Sequence, residues 1–133
     1  MNEPAQGRPV VLLVEDDRVL ADLLGRYLTS HGYDLRIAPS AEEARQQLGA
    51  GVRPGLVILD VNLPGDTGWS LLRSPELAAA GSPPVLLATA TAVSAQRLKE
   101  PGVAGYLPKP FAVDTLLNTV NRTFSREGPT EEP

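Results

Sequence analysis

The sequence contains no cysteine among its 133 residues. Without thiols the chain can form neither a disulfide framework nor a thiolate zinc site, which is consistent with a reducing compartment. It also has no long uninterrupted apolar run, and its first residues lack the basic and apolar regions of a signal peptide. We therefore expect a soluble cytoplasmic protein without a membrane partner.

Basic residues are comparatively few. The chain has 12 Lys and Arg against 16 Asp and Glu, for a net charge of −4 and a pI of about 4.9. Nucleic-acid binding depends on Lys and Arg that displace counterions from phosphates, and no run of basic residues is present. We therefore expect no direct contact with nucleic acid. The length is typical of one domain with its own hydrophobic core.

The most informative stretch is the apolar run Leu56–Leu59, which leads directly into Asp60. Such a run is typical of a strand buried on both faces. A second apolar run, Val11–Val14, also ends in acid, at Glu15 and Asp16. In an open α/β sheet, ligands bind beyond the carboxyl ends of the strands, so these carboxylates would converge if the strands are parallel neighbours. Like charges repel unless a cation lies among them, and Mg²⁺ prefers such oxygen ligands.

Apolar periodicity divides the chain into five strand–helix units. The predicted strands are 11–14, 33–38, 56–59, 85–88 and 105–107. The predicted helices follow the caps Asp17 and Ser40, begin near Gly68, span 94–100 and span 113–124. Pro75 interrupts the third helix but can restart a short helical turn with Ser74 as its cap, and Pro101 keeps the fourth helix short. The units predict an α/β fold: a five-stranded parallel sheet of order 2-1-3-4-5, doubly wound with five helices, whose switch point lies between the first and third strands.

The two ends of the chain are polar. Residues 1–9 are predicted to be a flexible lead-in, residues 10–124 the folded domain, and residues 125–133 a disordered tail. The tail is too short for a further domain, which leaves either a stand-alone protein or a domain cut from a larger one. The only histidine, His31, precedes Gly32 at a helix end. We interpret it as a cap rather than as a ligand or phosphocarrier.

Four short motifs lie at the ends of successive predicted strands. They are Val14-Glu15-Asp16, Asp60-Val61-Asn62-Leu63-Pro64-Gly65, Thr89-Ala90 and Lys109-Pro110-Phe111. In this order they resemble the motifs of the receiver domains of two-component response regulators, over about residues 10–124. The resemblance implies a flavodoxin-like fold and a role in phosphorelay signalling. It also implies a cis Lys109–Pro110 bond.

The resemblance assigns the carboxylates to phosphoryl transfer. Asp60 would accept a phosphoryl group from a histidine kinase or a histidine phosphotransfer protein. Asp16, Asp60 and the backbone carbonyl of Asn62 would hold Mg²⁺ or Mn²⁺, and Glu15 would ligate the ion through water. Such a domain turns over no external substrate, so we expect no enzyme activity beyond self-catalysed phosphoryl transfer to Asp60 and slow loss from it.

The resemblance also assigns the stabilising and switching residues. Lys109 and Thr89 would contact phosphoryl oxygens, and Thr89 together with Tyr106 would form the switch. Asn62 and Thr91 would flank the attacking water and so set the lifetime of the phosphorylated state. The fourth helix, fifth strand and fifth helix would signal to an unknown downstream protein. The separation between Thr89 and Lys109 is shorter than is common in the family, and the loss falls on the fourth helix.

Three alternatives belong to other classes. A nucleotide- or flavin-binding α/β domain needs a first turn whose amides bind phosphate, and here that turn is Glu15-Asp16-Asp17. An aspartyl-phosphate hydrolase typically has a second carboxylate two residues after the nucleophile, where this chain has Asn62. The third alternative is a pseudo-receiver, a protein-interaction module that keeps the fold and does not depend on phosphorylation.

Overall fold

A computed structural model describes residues 7–63 and 67–127, the last two by their backbone only. Its sheet consists of β1 (Val10–Val14), β2 (Asp34–Ala38), β3 (Leu56–Leu59), β4 (Val85–Thr89) and β5 (Val103–Pro108). All neighbouring strands are parallel, in the order β2-β1-β3-β4-β5. The predicted doubly wound α/β fold and its strand order are confirmed.

Side-chain caps begin the first two helices at the residues predicted from the sequence. The helices are α1 (Arg18–Ser30), α2 (Ala41–Gly49), α3 (Gly68–Leu72), α4 (Pro75–Ala79) and α5 (Val113–Glu127). Asp17 accepts the N–H of Leu20 at 3.1 Å, and Ser40 accepts the N–H of Glu43 at 3.1 Å. These bonds satisfy donors that the first helical turn leaves free. His31 is the C-cap residue of α1.

The predicted third helix is two short helices. α3 ends before Arg73, and α4 restarts at Pro75, where the hydroxyl of Ser74 accepts the N–H of Leu77 at 3.2 Å. Proline has no N–H to continue the bonding ladder of a helix, yet it is well suited to a first helical position. The local sequence therefore restarts the helix rather than bending it.

The predicted α-helix over residues 94–100 is wrong. The connection between β4 and β5 contains one 3₁₀ turn, Arg97–Lys99, because Pro101 and Gly102 end it at once. At the chain end, α5 continues to Glu127 rather than stopping at Phe124. Three parts of the predictions lie outside the described residues: the rest of the tail, residues 1–6 of the lead-in, and the Pro64-Gly65 part of the second motif.

The hydrophobic core lies on both faces of the sheet. One cluster joins residues such as Leu12, Leu59 and Leu87 to α2, α3 and α4. The other joins Leu13 and Ile58 to α1 and α5. β1, β3 and β4 are therefore buried throughout, as their unbroken apolar runs predict. Within the described ranges, no helix combines the length and the apolar character needed to cross a membrane.

The start of α3 lies unusually close to the end of β3. The N–H of Gly68 donates to the carbonyl of Val61 at 3.2 Å. A Cβ at Gly68 would lie 2.7 Å from Cα of Val61 and 2.8 Å from the backbone oxygen of Asp60. Because both neighbours are backbone atoms, a larger residue would have to displace the segment that carries Asp60.

We expect Gly68→Ala to lower the free energy of unfolding by about 2 kcal/mol, because the added methyl group overpacks this contact. Urea denaturation measures the effect. Gly49→Ala is the matched control, since it is also in a helix but its Cβ would find only the Cγ of Glu76, at 4.0 Å. That variant should be as stable as the wild type or slightly more stable. Equal destabilisation by both substitutions would contradict the close approach at Gly68.

Candidate active site at the carboxyl edge of the sheet

Four polar side chains meet at the carboxyl ends of neighbouring strands. Glu15 directly follows β1, Asp60 follows β3, Thr89 ends β4 and Lys109 follows β5. Glu15 is 3% exposed, Asp60 7% and Thr89 fully buried. Burying charged groups is costly unless they are paired. The burial therefore requires that these side chains satisfy one another.

Lys109 provides the counter-charge. Its Nζ donates to Oε1 of Glu15 at 2.6 Å and to Oδ2 of Asp60 at 3.0 Å. Burial alone would lower the pKa of Lys109, but the hydrogen bonds and charges of the two carboxylates outweigh it and raise the pKa above its ordinary value. The predicted cis Lys109–Pro110 bond is present, and the N–H of Lys109 donates to the carbonyl of Thr89 at 3.1 Å. Backbone and side chain thus both tie Lys109 to the site.

Both carboxylate oxygens of Glu15 have partners. Oε1 accepts from Lys109, and Oε2 accepts the N–H of Asp17 at 3.1 Å. Burial raises the pKa of Glu15, and the hydrogen bond and charge of Lys109 offset only part of that rise. The contact between Glu15 and Lys109 was not predicted from the sequence, because the two residues are far apart along the chain. The available signal was the length of the glutamate side chain, which reaches further than that of an aspartate.

Asp60 is held from two sides. Its Oδ1 accepts the N–H of Asn62 at 2.9 Å, while its Oδ2 faces Lys109. The side chain of Asn62 itself is exposed. The turn after β3 therefore orients the carboxylate toward the centre of the edge, between β1 and β4.

Three carboxylates form a cluster suited to a divalent cation. Glu15, Asp16 and Asp60 each offer an oxygen, and these oxygens lie within 4.8 Å of one another. Asp16 is exposed, whereas the other two are buried, so the cluster opens to solvent on one side. An all-oxygen donor set with access to water fits Mg²⁺, which keeps several of its waters when bound. The predicted ligand side chains are thus brought together.

The predicted switch residues are linked through Thr91. Oγ1 of Thr89 accepts the N–H of Thr91 at 3.2 Å. The hydroxyl of Tyr106 lies 3.5 Å from the carbonyl of Thr91, and its ring packs half-buried against the core. Thr91 was predicted only as a residue near the attacking water. The structure places its backbone between the two switch residues and leaves the residue exposed.

The fold and this edge define a class: doubly wound α/β proteins with an acidic centre at the switch point of the sheet. The sequence profile of the family described as "Response regulator receiver domain" matches residues 11–121. The chain belongs to this family of response regulator receiver domains. The resemblance identified from the four motifs is therefore confirmed.

Individual relatives agree with this placement. Protein PetR of Rhodobacter capsulatus is 36% identical over 120 residues, which cover 89% of this chain and 49% of PetR. The non-phosphorylated receiver domain of HemR from Leptospira biflexa is 32% identical with a TM-score of 0.79, covering 93% of this chain and all of that one. The response regulator TrrA of Thermotoga maritima, solved in complex with Mg²⁺-BeF, is 27% identical with a TM-score of 0.74, covering 86% and 98%. The chain spans about half the length of the curated relatives it matches.

The role of Lys109 as counter-charge can be tested through stability. Lys109→Met leaves two buried carboxylates without their cation, and we expect the free energy of unfolding to fall by about 3 kcal/mol in the absence of divalent ions. Chemical denaturation with a chelator present measures it. Lys99→Met, which removes the charge of an exposed lysine in the 3₁₀ turn, should change stability little. If both variants are equally stable, the carboxylates do not depend on Lys109.

Proposed function

We propose that the chain accepts a phosphoryl group on Asp60 from a histidine kinase or a histidine phosphotransfer protein. Family membership supports a role in two-component signalling. The observation that carries the assignment is the position of Asp60 at the tip of β3, with Lys109 3.0 Å from one of its oxygens. Glu15 also contacts Lys109, but it is buried more deeply than Asp60.

The transfer is a displacement at phosphorus. A carboxylate oxygen of Asp60 attacks the phosphorus, the bond from phosphorus to the donor nitrogen breaks, and the imidazole leaves with that electron pair. Phosphoryl transfer needs alignment and charge neutralisation more than covalent help. A bound Mg²⁺ would neutralise phosphoryl charge. We assign its ligands as Asp16, Asp60 and the carbonyl of Asn62, with Glu15 acting through water.

Two further residues are assigned to the phosphoryl oxygens. The ammonium of Lys109 bridges Glu15 and Asp60, so it is already charged and positioned at the reacting carboxylate. The hydroxyl of Thr89 would donate to another phosphoryl oxygen. A hydroxyl can donate and accept at the same time, so movement of Thr89 toward the phosphoryl group would pull on the N–H of Thr91 that it accepts. The carbonyl of Thr91 would pass that movement on to the hydroxyl of Tyr106. We propose that this change alters a surface formed by the β4–β5 connection, β5 and α5, which signals to a downstream protein.

The phosphodonor has an apolar surface available beside the site. A cavity of about 370 Å³ lies between α1 and the segment after Lys109. Leu20 and Leu23 line one side, and Pro110 and Phe111 line the other. Leu23 is 54% exposed, and Val19, on the outer face of the same helix, is 81% exposed. We assign this surface to the phosphodonor protein because it adjoins the carboxylate that would receive the group.

The alternative is a pseudo-receiver that acts without phosphorylation. The completeness of the acid, lysine and threonine set argues against it, since a module used only for protein contacts has no need of buried charges there. Failure of Asp60 to react would favour the alternative.

We expect Mg²⁺-dependent modification by acetyl phosphate, detected by intact-mass spectrometry and mapped to Asp60. Asp60→Asn should abolish it, because the amide is not a nucleophile. Asp16→Asn should require a higher Mg²⁺ concentration, because a ligand is lost.

Asp17→Asn is the matched control for these variants. Asp17 is an acid in the same turn, but it caps α1 through Leu20, and asparagine caps equally well. Labelling should therefore persist in this variant. Labelling that survives Asp60→Asn and Asp16→Asn would exclude the proposed site.

The lifetime of the phosphorylated state should be long, because neither Asn62 nor Thr91 offers a base to the attacking water. We expect Thr91→Glu to accelerate loss of the phosphoryl group by about tenfold. A time course of the mass adduct after removal of the phosphodonor measures the rate. Ala92→Glu adds the same charge at the next exposed position and should leave the rate unchanged. Equal rates in all three proteins would refute the role of Thr91.

A further inference from the structure

The connection between β4 and β5 has little internal structure to hold it. Among residues 90–102 the only regular element is the turn Arg97–Lys99. In its backbone, the N–H of Leu98 donates to the carbonyl of Ser94 at 3.1 Å, and the N–H of Glu100 donates to the carbonyl of Arg97 at 3.1 Å. A single short turn is not stable without tertiary support. Contacts to other parts of the fold must therefore keep it in place.

Those contacts are made by four side chains, which we call the clasp: Trp69, Arg73, Arg97 and Glu100. The guanidinium of Arg97 lies over the ring of Trp69, 4.1 Å from its centroid. The same guanidinium donates to Oε2 of Glu100 at 2.5 Å, and Arg73 approaches that carboxylate at 3.3 Å. Trp69 belongs to α3, and Arg73 is the C-cap residue of that helix. The contact of Trp69 with Arg97 and the contact of Arg73 with Glu100 therefore both join α3 to the connection.

The clasp acts on one half of the connection only. It includes Arg97 and Glu100, and the carbonyl of Glu100 also accepts the N–H of Val103 at the start of β5. The other half, residues 90–96, is tied to the active site through the bond from the N–H of Thr91 to Thr89. Every residue in that half except Val93 is exposed. Hydrogen bonds from the turn to Ser94 join the two halves, but the partners of each half outside the connection are different.

We propose that the clasp replaces the missing helix as the anchor of residues 97–100. Movement that starts at Thr89 is then confined to residues 90–96. The anchoring follows from the clasp alone, whereas the confinement rests on the proposed function, because it requires a group bound at Asp60.

The chemistry of the clasp favours arginine at position 97. A planar guanidinium can stack on the indole ring and donate to a carboxylate at the same time, whereas the ammonium of lysine acts as a compact point charge. Each contact is weak by itself at a partly exposed site. Arg97 makes both the contact with Trp69 and the contact with Glu100. Its removal therefore breaks both of them and leaves Glu100 paired with Arg73 only.

The first experiment uses the full chain without ligand. Trp69 is its only tryptophan, so the emission spectrum reports directly on the clasp. Arg97→Ala should shift that emission and raise the hydrogen-exchange rate of the amides of residues 97–100 by about tenfold. Arg97→Lys keeps the ion pair but not the planar stacking, and it should give a smaller increase in exchange.

Lys99→Ala is the matched control, since it removes the same charge from an exposed position of the same turn. It should leave emission and exchange as in the wild type. Circular dichroism melting of each variant separates local loosening from global unfolding. If Arg97→Ala and Lys99→Ala behave alike, the clasp does not anchor the connection and the proposal is overturned.

The second experiment adds Mg²⁺ and beryllofluoride, with bound fluoride observed by ¹⁹F NMR. In the wild type, exchange should change in residues 90–96 and remain the same in residues 97–100. In Arg97→Ala the change should extend through residue 100. Bound fluoride with equal changes in both halves of the wild type overturns the confinement alone. No bound fluoride overturns the proposed function and the confinement with it, while the first experiment still decides the anchoring.

Discussion

The arrangement at the carboxyl edge depends on one ammonium group placed between two buried carboxylates. Glu15 and Asp60 come from neighbouring strands, and neither is exposed enough for water to screen its charge. Lys109 reaches both from the far side of β4, at 2.6 Å and 3.0 Å. That reach requires the parallel strand order, since it brings the end of β5 to the same edge as the ends of β1 and β3.

The same edge argues against a nucleotide-binding domain. Such domains bind phosphate with free backbone amides in the first turn after β1. Here the N–H of Asp17 is occupied by Glu15, and the N–H of Leu20 is occupied by Asp17. The turn therefore presents carboxylates outward, which attract a cation rather than phosphate. This difference in local bonding separates a receiver domain from other proteins with a similar sheet.

Side-chain contacts, rather than the backbone hydrogen bonds of a helix, hold the β4–β5 connection in place. Pro101 and Gly102 limit the length of any helix in this connection. Arg97 and Glu100 then hold the turn through contacts with α3, which itself packs directly on the segment after Asp60 through Gly68. The carboxylate site, α3 and the connection consequently form one continuous set of contacts. Residues 90–96 join this set through the bond from the N–H of Thr91 to Thr89.

Sequence patterns alone were enough to locate the strands, the caps Asp17 and Ser40, and the residues at the strand ends, because apolar periodicity and capping are local properties. The strand order followed from the general rule for doubly wound folds. The sequence also pointed correctly to a restart of the helix at Pro75. The tertiary structure decided what local patterns do not contain. The contact of Glu15 with Lys109 and the stacking of Arg97 on Trp69 join residues far apart in the chain. The absence of an α-helix between β4 and β5 also depends on tertiary structure, because a short segment forms a helix only when packing stabilises it.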